Sequence, residues 1–191
     1  MLTALPPKRD CLGPTLRRWR VINRVKQAAL AEELGVSQAT VSRWESGALA
    51  PDRHESRRLT RLLTARPSSS ADRALLDLVR LSSEPVHLIC DLTHRLLAAS
   101  PSRCRTWRVA CEDLQGTSLW RFASEGIDDG EASLGDRGWY DELAPELAIC
   151  TERAEFAELT IRAGTIRYAR LALSDGRFAR LVRDGRRSGP A

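Results

Sequence analysis

The stretch KQAALAEELGVSQATVSRWESGALAP, residues 26–51, decides how the chain is read. Ala29, Leu30 and Leu34 recur at helical spacing, and Gly35 is able to take the positive φ that ends a helix. Ser37 suits the N-cap of a following helix, whose apolar residues Val41 and Trp44 lie on one face. Two short helices joined by a tight turn bury those faces together. The opposite face of the second helix then presents Gln38, Ala39, Ser42 and Arg43, side chains small enough or polar enough to read base edges in a major groove. The spacing therefore predicts a helix-turn-helix that binds double-stranded DNA.

Working outward, Gln27 opens the first helix of the pair, followed by Leu30-Ala31-Glu32-Glu33-Leu34-Gly35-Val36-Ser37. Next come Gln38, the run Val41-Ser42-Arg43-Trp44-Glu45-Ser46-Gly47, and Pro51. On these residues the segment 16–63 resembles the lambda repressor/Cro-like regulators, also called the xenobiotic-response-element family. The resemblance implies that the first residues of the third helix enter the major groove. Gln38, Ala39, Ser42 and Arg43 would then contact bases, while Gln27, Thr40 and Ser46 contact phosphates. Gln38 suits adenine, Arg43 suits guanine, and the Ala39 methyl suits a thymine methyl. Structural roles stand beside these. Leu30, Leu34, Val41 and Trp44 belong to a core, and Glu45, repelled by phosphate, is expected to order the local structure. Ser42 and Thr40 are equally suited to plain solvation.

Charge divides the chain along the same line. Residues 1–66 hold 13 Lys/Arg against 6 Asp/Glu, a net of +7, whereas residues 67–191 hold 17 against 19, a net of −2. The basic excess coincides with the helix-turn-helix, as phosphate neutralisation requires. Residues 112–158 carry 13 acids and 3 bases, the composition of a solvated acidic face that does not lie along DNA. Two domains with different jobs are expected.

The expected boundaries are a flexible arm over residues 1–14, an all-α helix-turn-helix domain over 15–66, a linker and connector helix over 67–83, an α+β domain over 84–184 and a tail over 185–191. The first helix is placed at residues 15–24, with Leu16 and Trp19 inward. A fourth helix carries Leu59, Leu62 and Leu63, and ends before Arg66-Pro67-Ser68-Ser69-Ser70, because Pro67 disfavours helix at Arg66. Residues 71–81 resume a helical pattern through Leu75, Leu76 and Val79. Such a connector either pairs with its copy in a dimer or packs on its own domain.

Beyond residue 84 the period changes. Residues 86–91 and 95–100 read as two strands across a turn, Pro101 starts a helical stretch, residues 119–122 form another short helix, and residues 139–150 again tend to helix. Strands are then expected at 154–162, 165–173 and 177–183, with Ala163-Gly164 and Asp175-Gly176 as turns in an antiparallel meander. Strands, helices, then strands give helices packed on one antiparallel sheet. With Arg95-Leu96-Leu97-Ala98-Ala99-Ser100-Pro101-Ser102 and Leu114-Gln115-Gly116-Thr117-Ser118-Leu119-Trp120, this order resembles a PAS domain. The resemblance implies a sensory or dimerisation role. The flavin-cysteine motif of light-sensing members is missing, and His87 and His94 fall on or beside the first strands, unlike the helical His of haem-binding members. Trp107, Trp120 and Trp139 are candidates either to line a pocket or to fill the core.

Five cysteines (Cys11, Cys90, Cys104, Cys111 and Cys150) form no CxxC pair, so no disulfide framework or zinc site is read. Cys90 with His94, or Cys104 with Cys111, would suit metal ligation or a redox pair; reduced, partly buried thiols are the expectation. No phosphate-cradling glycine loop, nucleophile elbow or Cys/His arrangement marks an enzyme, and no cofactor is expected. The start of the sequence lacks the layout of a secretory signal. No apolar run reaches the roughly 18 residues of a membrane span, so a cytoplasmic protein is expected.

The reading is a multidomain transcriptional regulator, an all-α helix-turn-helix domain followed by an α+β PAS-like domain with an antiparallel sheet. It is expected to bind a palindromic operator as a homodimer, with a small-molecule effector or a protein partner at the C-terminal domain. The alternative is an antitoxin or adaptor whose acidic C-terminal domain binds a protein.

Overall fold

The structure, a computed structural model, describes residues 12–185. The expected arm lies outside the described residues up to Cys11, as does the tail from residue 186. The chain divides into two compact units between Thr64 and Ala65.

The first unit is all-helical: α1 (Leu12–Ile22), α2 (Gln27–Leu34), α3 (Gln38–Glu45) and α4 (Arg53–Leu63). Helix α1 begins at Leu12, three residues earlier than expected, with Pro14 tolerated in its first turn where backbone N–H groups lack intrahelical partners anyway. Gly35 ends α2 at φ 67°, its N–H donating to the carbonyls of Ala31 and Glu32. Ser37 caps α3 by accepting from the Thr40 N–H. Asp52 and Glu55 form a reciprocal capping box on α4. Leu16, Leu30, Leu34, Val41, Trp44 and Leu59 meet in one core.

The second unit opens with α5 (Ser70–Arg80), followed by β1 (Val86–Cys90), β2 (Leu96–Ala99), α6 (Pro101–Trp107), α7 (Cys111–Leu114), a 3-10 turn (Leu119–Phe122) and α8 (Glu125–Ser133). The remainder is strand: β3 (Leu147–Thr151), β4 (Ala154–Glu155), β5 (Thr160–Ile161), β6 (Gly164–Ala172) and β7 (Phe178–Asp184). Five strands make one antiparallel sheet in the order β2-β1-β7-β6-β3. Register pairs His87 with Val182, Tyr168 with Val182, and Ile149 with Ile166, so these side chains share a face. That face packs against α6, α8 and the 3-10 turn through Ile89, Trp107, Phe122 and Leu134. The other face carries Leu88, Cys90 and Ala179, and is covered by Leu75, Leu76 and Val79 of α5. Helix α5 thus packs on its own sheet. Asp72 ties its first turn to the β6–β7 turn by accepting from the N–H groups of Ser68, Ser69 and Ser174. The unit is an α+β domain whose strands, helices and again strands build one antiparallel sheet covered by helices.

Several local expectations are corrected. Residues 139–150 are not a helix: Pro145 interrupts the backbone, and Leu147, Ile149 and Thr151 alternate inward along β3. The third strand of the sheet is therefore β3. Residues 154–162 instead form a two-residue-per-strand hairpin, β4 with β5, because Phe156 and Leu159 turn into the core. Helix α8, read from sequence as part of an acidic surface, lies close to the sheet. A Cβ on Gly130 would stand 2.7 Å from Ile149 Cγ2, and one on Gly126 would stand 2.4 Å from the Cys150 carbonyl. The cysteines also depart from expectation. Cys104 and Cys111 are disulfide-bonded with Cα atoms 5.7 Å apart. Arg108 ends α6 in the left-handed region at φ 63°, which folds α7 back onto α6.

Candidate nucleic-acid interface and interior cavity

Helix α3 separates its residues cleanly. Gln38, Ala39, Ser42 and Arg43 are exposed, while Val41, Trp44 and Glu45 are buried. The Arg43 guanidinium reaches back along the helix, its Nε 3.3 Å from the Ala39 carbonyl. Ser46 follows as the C-cap of α3, its hydroxyl donating to the Arg43 carbonyl at 3.2 Å. Thr40 is half-buried and shares a 2.9 Å hydrogen bond with the Ser37 hydroxyl. Gln27 donates through Nε2 to Glu45 Oε2 at 2.8 Å.

Glu45 fixes the angle of α3. It is 6% exposed, and Arg20 from α1 reaches it with Nε at 2.7 Å from Oε1 and Nη2 at 2.9 Å from Oε2. Burial pushes the Glu45 carboxyl up, but the hydrogen bonds from Arg20 and Gln27 and the Arg20 charge outweigh it and hold it below the usual range. One carboxylate thus gathers α1, α2 and α3. The backbones come close as well: a Cβ on Gly13 would lie 1.9 Å from the Trp44 carbonyl oxygen. Arg58 of α4 donates to the Leu34 carbonyl at 2.8 Å, satisfying the end of α2.

In the second unit a cavity of 290 Å³ lies between the inner face of the sheet and the helices. Its walls include Trp107, Trp120, Phe122, Ile161 and Ile166. Trp107 and Trp120 of the candidate tryptophans line it, whereas Trp139 is fully buried in the core and donates Nε1 to Asp91 Oδ1 at 3.0 Å. His87 and His94 both reach the wall. His94 stacks on Trp120 with ring centroids 5.0 Å apart, and its Nε2 lies 3.2 Å from Glu131 Oε2.

Behind the cavity sits a charge cluster that sequence reading missed. Arg180 is fully buried, with Nε at 3.0 Å and Nη2 at 2.8 Å from Asp91 Oδ1, and Nη1 paired with Glu131. Arg170 Nε adds a contact to Asp91 Oδ2 at 3.1 Å. The Arg180 guanidinium also lies against the rings of Tyr168 and Trp139, 4.6 and 5.1 Å from their centroids. Burial pushes the guanidinium down, yet Glu131 and Asp91 outweigh it and hold it well above the usual value. For Glu131 burial acts upward and is outweighed by the charges of Arg180 and His94, which leave the carboxyl well below its usual range. Arg180 read as an ordinary strand residue, since nothing local marks a charge that will be paired across 89 residues.

The family model for a helix-turn-helix domain matches residues 12–76. No curated protein matches the chain. Among solved structures, a variant of the light-oxygen-voltage protein RsLOV is similar at 18% identity and TM-score 0.43, over 62% of this chain and 70% of that one. An RNA-binding light-oxygen-voltage receptor is similar at 10% identity and TM-score 0.42, over 92% of this chain and 58% of that one. The PAS domain of an HTR-like protein from Haloarcula marismortui is similar at 15% identity and TM-score 0.38, over 68% of this chain and 99% of its own length. Among the described residues no helix is long and apolar enough to cross a membrane.

Proposed function

We propose that the chain is a sequence-specific DNA-binding regulator, acting as a homodimer on a palindromic operator and sensing a small effector in the cavity of its C-terminal domain. The observation that carries the first part is the division of α3, where Gln38, Ala39, Ser42 and Arg43 face outward from a helix clamped by Val41, Trp44 and Glu45. In this reading Gln38 and Arg43 carry base readout, by bidentate pairing with adenine and guanine. Gln27, Thr40 and Ser46 take the phosphate positions. The Gln27 amide keeps a second N–H beside the one given to Glu45, while Thr40 lies in the first turn of the recognition helix and Ser46 caps its C-terminus. Two copies place two recognition helices about one helical turn apart along the duplex.

The helix-turn-helix match over residues 12–76 supports a regulator rather than an enzyme. The cavity, lined largely by aromatic and aliphatic side chains with a few polar groups, supports a sensory role for the second domain. Genome-wide mapping of binding sites with the intact protein tests the reading. Enriched sites sharing an inverted repeat are expected, and a profile no different from nonspecific DNA would refute it.

A second reading, an adaptor whose C-terminal domain holds a basic protein, draws on the exposed acids Glu112, Asp113, Glu125, Asp129, Asp136 and Glu142. A stoichiometric partner that co-purifies with the chain and competes with DNA would favour it.

A further inference from the structure

The cavity has a polar end and an apolar body. The polar end is built by α6, β1 and β7. Arg103 of α6 donates through Nη2 to Asp184 Oδ1 at 2.6 Å and also to the Pro85 carbonyl. The guanidinium lies 5.6 Å from the Trp107 ring, and His87 meets the same ring edge-on with centroids 4.7 Å apart. Arg103 and His87 are both more than nine-tenths buried. Among the described residues His87 has no hydrogen-bond partner at either ring nitrogen: Nδ1 is sealed inside the wall, which leaves Nε2 as the nitrogen a guest would meet. Arg103 Nε is likewise sealed without a partner among the described residues, while Nη1 has none among them and is not sealed. Buried polar groups without partners cost free energy, so two such side chains make this end of the wall polar, and their unsealed atoms, Arg103 Nη1 and His87 Nε2, are the ones a ligand can reach.

The sign of the missing partner follows from the charges. Arginine is donor-only, and a neutral imidazole supplies one N–H. The lining carries Arg103 and Arg162 against Asp184; Arg162 and Asp184 are both exposed and screened by water, which leaves Arg103 as the buried charge of the three. Burial, with the charges of Arg103 and Arg180 added, holds His87 well below the usual imidazole range, so it is neutral. Away from this end the wall is mostly apolar, through the rings of Trp120 and Phe122 and the aliphatic side chains of Leu119, Ile161 and Ile166. The volume, 290 Å³, lies just below the range of about 300–1,000 Å³ for ligand pockets, which favours a small guest.

We infer that the cavity receives a small carboxylate with a flat apolar body, its head group bonded by Arg103 Nη1 and His87 Nε2 and its body between Trp107 and Trp120. This deepens the reading of the cavity as an effector site and rests on it. Binding needs no covalent step. The carboxylate accepts two hydrogen bonds and offsets the arginine charge in a region of low dielectric.

The test uses the full chain and three carboxylates, benzoate, phenylacetate and indole-3-acetate, each beside its own primary amide, with binding measured by calorimetry. At least one carboxylate is expected to bind tenfold or more tightly than its amide. His87→Phe, which keeps a ring against Trp107, is expected to reduce that preference to threefold or less. Arg103→Met should abolish the preference, and His87→Phe guards against the chance that Arg103→Met merely unfolds the wall. Equal binding of acid and amide would overturn the carboxylate assignment and leave the effector site standing. Failure of all six compounds, and of indole itself, to bind would overturn both.

Discussion

Arg20 of α1 holds Glu45 at the end of α3 with two hydrogen bonds of 2.7 and 2.9 Å, and thereby sets the helix whose exposed face is proposed to read DNA. Removing one partner leaves the other charge buried, which costs about 3 kcal/mol or more. Glu45→Gln and Arg20→Met are therefore expected to weaken hydrogen-exchange protection of α1 and α3 and to lower DNA affinity without altering base preference. The pH dependence has a definite sign. The folded Glu45 carboxyl lies below its unfolded value, so its contribution is full above an unfolded pKa of about 4.3 and is lost as pH falls through the folded value. Acid titration of wild type against Glu45→Gln checks this: the variant should lose less stability between neutral and acid pH.

Gly13 gives an independent handle on the same helix. A Cβ there would meet the Trp44 carbonyl at 1.9 Å, and backbone on both sides has little room to give. Gly13→Ala is expected to lower stability by about 1–3 kcal/mol, the range for overpacking, despite the better helix propensity of alanine. Denaturant unfolding measures it; an unchanged or raised midpoint would contradict the close approach.

In the second domain, Arg180→Met would leave Asp91 and Glu131 buried with their main counter-charge gone, at a cost of about 3–5 kcal/mol. The same cluster is readable by titration. Burial pushes the Tyr168 hydroxyl up to about 12, with the Arg180 charge acting in the opposite direction. Because this folded value exceeds the unfolded one, its contribution to stability is full below pH of about 10 and lost as pH rises through the folded value. Ultraviolet difference titration of the two tyrosines should show Tyr168 ionising late, together with alkaline unfolding. A normal titration curve for both would contradict the buried placement.

Thiol chemistry separates the cysteines. Cys150 is exposed, Cys90 is buried, and Cys104 is bonded to Cys111. Alkylation of the native, unreduced protein followed by peptide mapping should label Cys150 quickly and Cys90 slowly, with Cys104 and Cys111 labelled only after reductant. Rapid labelling of Cys104 and Cys111 without reductant would contradict the bond.

The helix-turn-helix was legible because its information is local. Gly35 as a left-handed cap, Ser37 as an N-cap and the inward pair Val41 and Trp44 each follow from neighbours within four residues. The two initial strands and the β6–β7 hairpin were legible for the same reason, with Asp175-Gly176 marking the turn. What escaped depends on partners distant in sequence. Residues 139–150 carry enough helix-forming residues to resemble a helix, and only pairing with β6 makes Leu147–Thr151 a strand. Gly126 and Gly130 fall inside an acidic run with no local mark of close packing, yet they are points where α8 approaches β3. Nothing local marks Arg180 and Arg103 as buried, since a buried guanidinium is defined by Asp91, Glu131 or Asp184 arriving from elsewhere in the fold. Arg20 and Glu45, 25 residues apart, are of the same kind.

The central claim is that α3 reads base edges through its exposed face, and Arg43 tests it most directly. Affinities of wild type and Arg43→Ala are to be compared across a complete set of single-base variants of the mapped site, at one fixed salt concentration. A loss of about 1–3 kcal/mol on the preferred site, with discrimination abolished at one position of each half-site and kept at the others, is the expected result. An equal loss on every sequence would place Arg43 on phosphate, and no loss at all would contradict base reading by this face of α3.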